Sequence, residues 1–250
     1  MIFLIALLKF PRYNVLGEQN MKINLMTFNI QHCKNYITKQ IDIDLMIKTI
    51  RDCQGEIVGL NEVYGEADAF SSQAKIIAEA LGYYCYFGQA IIHQGRPYGN
   101  ALLSKFPFEA VETIMIPDPI KNDKEFFETR CIIKASFKNI DLTVFTSHFG
   151  LAQAEKENAV NTIMENIKKV KTPIVFMGDL NMEPSDPLLK PVFSSLNSTL
   201  PTTFLSFPSI NPNKRIDYIF TSKSLKVLSS EIPNIVASDH FPHIASILIK

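Results

Sequence analysis

Two short stretches of this chain are apolar at almost every position: PIVFM (173–177) and EIVGL (56–60). A strand with one wet face alternates polar and apolar residues, and these do not. Runs of this kind belong to sheets covered on both faces. Two sheets packed on each other with helices outside supply that cover.

The rest of the chain fits the same plan. INLMTFNI (23–30) is a third buried strand, followed by shorter strands at 83–88, 100–105 and about 108–116. TRCIIKASF (129–137) and IDLTVFTSH (140–148) flank Lys138-Asn139 and predict a hairpin. RIDYIF (215–220), LKVLS (225–229) and HIASILI (243–249) close the chain as strands. Helices are expected at about 42–53, at 70–81 with Gly82 as the terminating glycine, and at 152–170, with a short one after the turn-rich NMEPSDP (181–187). No repeat or long linker interrupts residues 21–250, which read as a single domain.

Composition narrows the function classes. The 250 residues carry a formal net charge of zero, so no global positive field draws in nucleic acid. That argues against a dedicated DNA-binding protein but not against an enzyme whose metal does the local charge work. Cys33, Cys53, Cys85 and Cys131 are spread along the chain without a C-x-x-C pair, as expected of reduced, buried thiols rather than a zinc site. The opening MIFLIALLKF is shorter than the roughly 20 residues needed to span a bilayer. It also lacks a signal peptide's positive start and small-x-small cleavage site. Residues 1–20 are therefore expected to be a dispensable extension, with weak membrane anchoring through residues 1–10 as the alternative. The remainder is expected to be a cytoplasmic monomer with no stable protein partner and no firm membrane association.

The chemistry-bearing residues stand at strand ends. Ser238-Asp239-His240 puts a carboxylate beside an imidazole, and Gly178-Asp179-Leu180-Asn181 puts a carboxylate and a carboxamide two residues apart just after PIVFM. Hard oxygen ligands and a titratable His on separate segments suit metal-assisted attack of water on a phosphoester. Asn29, Glu62, Asn100, Arg130, His148 and Asp217 add to the set. Taken singly, each has a plainer reading. Asn29 and Asn181 serve as turn residues elsewhere, Glu62 could be solvated, and Asp239-His240 could be a surface turn before Pro242. Asp217 is harder to dismiss, because a charge between Ile216 and Tyr218 needs a partner once covered. His32, His93 and His243 read as loop or packing residues. No Ser, Cys or Thr stands beside a marked base, so water is the nucleophile to expect.

In this order along the chain, the set resembles the endonuclease/exonuclease/phosphatase superfamily over residues 21–250. The resemblance implies a four-layered α/β/β/α sandwich of two mixed sheets with outer helices, and a site at one rim. It implies that Glu62 holds Mg2+ (Mn2+ substituting), assisted by Asn29 and Asp239. Asp179 and Asn181 would position the attacking water and the phosphate. His240 would be the catalytic imidazole, Asp217 a carboxylate orienting His148 or His240, His148 a general acid, and Asn100 and Arg130 phosphate-binding residues. The implied partner is a phosphoester substrate, either nucleic acid or a small phosphodiester. A catalytically silent binding or adaptor domain on the same scaffold is the alternative, and it should have lost a ligand or the last His. The motifs also depart from particular branches. Met182-Glu183-Pro184 follow GDLN where inositol-polyphosphate phosphatases carry an aromatic and Arg, and Gln31 stands where abasic-site enzymes commonly carry Asp.

Overall fold

The computed structural model describes residues 20–65, 72–120 and 127–249. The expected N-terminal extension therefore lies outside the described residues, Asn20 excepted. The chain runs β1 (Met21–Asn29), α1 (Ile43–Asp52), β2 (Ile57–Tyr64), α2 (Gln73–Leu81), β3 (Tyr84–His93) and β4 (Arg96–Ser104). It continues with β5 (Phe108–Met115), β6 (Cys131–Phe137), β7 (Ile140–His148), α3 (Gln153–Ile167), β8 (Ile174–Asp179) and α4 (Lys190–Ser195). The last strands are β9 (Asn197–Ser198), β10 (Asp217–Thr221), β11 (Lys226–Glu231) and β12 (His243–Ile249).

These strands make two six-stranded sheets, ordered β11-β12-β1-β2-β4-β3 and β5-β6-β7-β8-β10-β9. Each sheet has one parallel pair at its centre, β1 with β2 and β7 with β8, and antiparallel neighbours around it. Parallel neighbours need a long crossover, and α1 and α3 supply it in the two cases. Asp42 starts α1 by accepting a hydrogen bond from Leu45 N at 3.0 Å, and Gly82 ends α2 at φ +71°.

Three apolar layers follow from the strand alternation. Ile23, Leu25, Ile133, Val144, Val175, Ile219 and Ile247 meet between the sheets. Met26, Phe28, Val58 and Leu60 point outward under Met46 and Ile50 of α1 and Ala74 and Ile77 of α2. Phe145, Phe176 and Phe220 point outward from the second sheet under Ala159 and Ile163 of α3. Covering each such side chain is worth about 1.5–3 kcal/mol, which is why the apolar runs tolerate no wet face. The expected sandwich is present, with helices on both outer faces. Among the described residues no helix is long and apolar enough to cross a membrane.

Boundaries shift in three informative places. The third strand is longer than expected, reaching His93, because it pairs with β4 as a hairpin up to His93 opposite Arg96. His93 is thus a strand residue and not a loop residue. The second helix begins at Gln73, capped by the Ser72 side chain accepting from Lys75 N. The third ends at Ile167, leaving Lys168 and Lys169 just past its carboxyl end.

Candidate active site

The site forms where the central parallel strands of both sheets end. β1 ends on Asn29 and β2 carries Glu62, while β7 ends on His148 and β8 on Asp179. Gly178 makes the last approach possible: its φ is +148°, and a Cβ there would lie 1.9 Å from the Ser147 carbonyl oxygen. Around these ends opens a cavity of about 900 Å3, lined by Glu62, Arg130, His148, Asp179, Asn181, Asp239 and His240 among others.

Asp179 is the hub. Its Oδ2 accepts from Asn29 Nδ2 at 3.1 Å and lies 3.5 Å from His148 Nε2 and 3.6 Å from His240 Nε2. Its Oδ1 accepts from Asn181 N at 2.9 Å. Burial pushes this carboxyl above the ordinary range, and His240 pulls it partly back. Asn29 Nδ2 also donates to Glu62 Oε1 at 3.1 Å, so one carboxamide ties the carboxylates of the two sheets together. Tyr98 hydrogen-bonds Glu62, and burial with the nearby Glu62 charge holds that phenol far above its usual range.

The histidines divide. Burial alone would lower His240, but Asp217 and Asp179 outweigh it and hold the ring protonated. Asp217 Oδ2 accepts from His240 Nδ1 at 2.8 Å, which decides which His this carboxylate orients. His148 is pushed well below its ordinary value by burial, then by the charges of Arg130 and His240. Arg130 NH1 lies 3.1 Å from His148 Nδ1 and Asn181 Nδ2 lies 3.0 Å from His148 Nε2, so a donor faces each nitrogen of the ring. This ring, held below its ordinary value, faces Asp179 Oδ2 across 3.5 Å. Asn181 Nδ2 donates to Phe149 O at 2.9 Å, which turns Asn181 Oδ1 the other way.

Arg130 is further held by Glu128, whose Oε2 accepts from NH2 at 2.9 Å, and its Nε is buried without a partner. Asp239 Oδ2 accepts from Gln31 Nε2 at 2.9 Å, and burial is the largest influence raising its carboxyl. The Asp239-His240 segment is pinned from the side: Ser209 N donates to Asp239 O at 2.7 Å and Phe241 N to Ser206 O at 2.8 Å. The Phe207 ring packs 4.7 Å from that of His240.

Nine of the ten expected site residues therefore converge. Asn100 does not reach the cavity. It is buried, its Oδ1 accepts from Asn61 Nδ2 at 2.9 Å and its Nδ2 donates to Cys131 O at 3.0 Å, so no atom is left for phosphate. Sequence reasoning gave no site role to Asn61, Gln31, Tyr98 or Glu128. A carboxamide inside the apolar run of β2 was a legible signal for Asn61; the others become visible only through their partners. His93 lines the cavity with its Nδ1 bonded to the Tyr64 hydroxyl, and His243 is structural, its Nε2 3.1 Å from both Thr199 Oγ1 and Ser230 Oγ.

The donor set fits a hard cation. Glu62 and Asp239 offer carboxylate oxygens to one cavity, and burial is the largest influence raising the Asp239 carboxyl, a penalty that a divalent ion would offset. Asp179, Asp217 and His240 also place one ligand atom each within 4.8 Å of one another and could hold an ion. Two of those groups are already joined by the 2.8 Å Asp217–His240 bond, so the oxygen-only set is the better match to Mg2+.

Residues 26–240 match the model of the Endonuclease/Exonuclease/phosphatase family. The chain belongs to that family. It is accordingly a phosphoric ester hydrolase. A family protein of Leptotrichia buccalis C-1013-b superposes with a TM-score of 0.73 at 20% identity, covering 89% of this chain and 98% of that one. A mannosyl-6-phosphatase of Bacteroides thetaiotaomicron VPI-5482 gives 0.73 at 16% identity, over 90% of this chain and 99% of that one. ANGEL2, a 2',3'-cyclic phosphatase, gives 0.70 at 16%, over 92% and 95%. At these identities the likeness shows the fold. No curated protein sequence gives a match.

Proposed function

We propose that this protein hydrolyses phosphoester bonds of compact substrates with Mg2+, Mn2+ substituting. The observation that carries the reading is the convergence on Asp179 Oδ2 of Asn29 from one sheet, His148 from the other and His240 from the last connection. Glu62, with Asn29 and Asp239 beside it, would hold the cation, which supplies charge stabilisation on the phosphoryl oxygens. The raised Asp179 carboxylate takes a proton from the attacking water, a task best done by a group titrating near the working pH. Asn181 Oδ1 orients that water. His240, kept protonated by Asp217 and Asp179, donates toward the phosphoryl and leaving oxygens as the ester P–O bond breaks. His148 adds an uncharged ring beside Asp179, and Arg130 on the cavity wall offers guanidinium donors to the phosphate.

Compact substrates are favoured by the charge of the wall. Glu62, Glu128, Asp179, Glu183, Asp186 and Asp239 line the cavity against Arg130, Lys156 and Lys214. A polynucleotide would lay several phosphates along these carboxylates without the basic track such substrates need. A small ester presents one phosphate to the cation and keeps the rest of the molecule uncharged. A mannosyl-6-phosphatase on the same fold accords with this size class.

The test is a panel of p-nitrophenyl phosphate, bis-p-nitrophenyl phosphate, sugar phosphates, single-stranded oligonucleotide and plasmid, with Mg2+, Mn2+ or EDTA. Turnover of a small ester that EDTA abolishes and Glu62→Ala removes is the expected result. Preference for plasmid would overturn the size argument, and silence across the panel with metal present would return the chain to a binding role.

A further inference from the structure

Asn61 has no part in the chemistry above, yet it sits next to Glu62 in the chain and touches Asp179 in space. Asp179 N donates to Asn61 Oδ1 at 3.1 Å, Asn61 Nδ2 donates to Asn100 Oδ1 at 2.9 Å, and Asn100 Nδ2 donates to Cys131 O at 3.0 Å. All four residues are buried. The direction of every bond is forced. The series begins at a backbone N–H, which only donates, and ends at a backbone carbonyl, which only accepts, so neither carboxamide can be turned over. It leaves the second sheet at β8, crosses to β2 and β4 of the first, and returns to the second at β6.

The bulge in β2 explains how neighbours serve two purposes. Pairing with β4 slips between Leu60 and Val63, and Glu62 takes φ +58°, which turns its side chain toward the cavity while Asn61 faces the other sheet. Asn29 links the two carboxylates through their side chains; Asn61 links them through the backbone.

We infer that Asn61 is a positioning residue: its carboxamide sets the separation of Glu62 and Asp179 across the two sheets, preorganising them for the cation and the phosphate. This rests on the proposed function. A carboxamide that merely satisfies buried groups would affect stability alone. A residue behind metal ligands affects ion affinity or turnover by about 10–100-fold.

Wild type, Asn61→Ala, Asn61→Ser and Ser147→Ala are compared as the full chain. Ser147 Oγ donates to the same Cys131 carbonyl at 2.8 Å and serves as a control for losing a buried bond at this rim. Three quantities are read: the thermal midpoint without metal, the Mg2+ concentration giving half the metal-induced thermal shift, and kcat and KM on the ester turned over in the panel. Expected for both Asn61 variants are a kcat lower by about 10–100-fold and a higher half-shift concentration, with KM little changed. Ser147→Ala should lose thermal stability and keep kcat. If Asn61→Ala does not fold, Asn61→Ser, which retains a polar atom, carries the comparison. Wild-type kcat and half-shift in a destabilised Asn61 variant, or equal kcat losses in Ser147→Ala, overturn the inference alone. A wild type with neither metal-induced shift nor turnover overturns it together with the proposed function.

Discussion

Two strand–helix–strand units, β1-α1-β2 in one sheet and β7-α3-β8 in the other, have the same geometry and end in different chemistry. In the second unit the ladder runs true to its end, with His148 directly opposite Asp179. In the first, Asn29 stands opposite Asn61, and Glu62 reaches the cavity only because β2 bulges one residue later. The first unit thus presents oxygen donors and the second an imidazole and a carboxylate held against cations. Parallel strand ends are a general place to build a site, since several side chains emerge there from rigid elements. What the pair teaches is that one scaffold, used twice, supplies both halves of a reaction when a single bulge re-aims one side chain.

The sharpest way to break the comparison is to remove one half at a time. Glu62→Ala and Asp179→Asn should each lower turnover by about 10²–10⁴-fold. Only Glu62→Ala should also abolish the Mg2+-induced thermal shift. If Asp179→Asn abolished that shift equally while sparing residual turnover, the division into a metal half and a proton half would be wrong. Next in size is Asp217→Asn, expected to lower kcat by about 10–100-fold, as changes behind a reacting group commonly do. With the carboxylate gone, the largest charge raising His240 is lost, so the arm of the pH–rate profile that reports this ring should move to lower pH. An unmoved arm would assign it to another group.

A third test separates the rim from the interior three residues further on. His243 is buried and held at about 3 by burial, then by the Arg215 charge, whereas His240 is held up. A lowered folded-state pKa leaves stability intact above about 6.5 and erodes it as pH falls toward the folded value, by about 1.4 kcal/mol per pH unit for one site. The raised His240 acts oppositely, its contribution present below its unfolded value and lost at alkaline pH. His243→Gln should therefore flatten the acid limb of stability by that slope, measured by urea unfolding between pH 4 and 6 (roughly the window set by these values), and leave the pH–rate profile in place. The smallest effect is expected at the far end of the first unit. Asp42→Ala removes the N-cap of α1 and should cost about 1 kcal/mol with kcat unchanged. A fall in kcat would show that α1 transmits strain to Glu62.

Much of this molecule was legible in its residues. PIVFM and EIVGL required sheets covered on both faces, because an apolar run cannot leave a wet side, and the sandwich follows. The order of Glu62, Asp179, Asp217 and Asp239-His240 along the chain pointed to phosphoester chemistry for a related reason: a carboxylate next to a covered strand is costly unless it has a partner or a task. The chain alone did not say which histidine Asp217 would orient, that His148 would be neutral, or that Asn100 would serve Asn61 rather than phosphate. Those outcomes depend on contacts between separate segments, such as Asn61 with Asn100, 39 residues apart. Local pattern reports how a side chain relates to its own strand. Protonation and hydrogen-bond partners are set by whichever charges and donors packing brings within a few ångströms, and only the assembled sheets decide that.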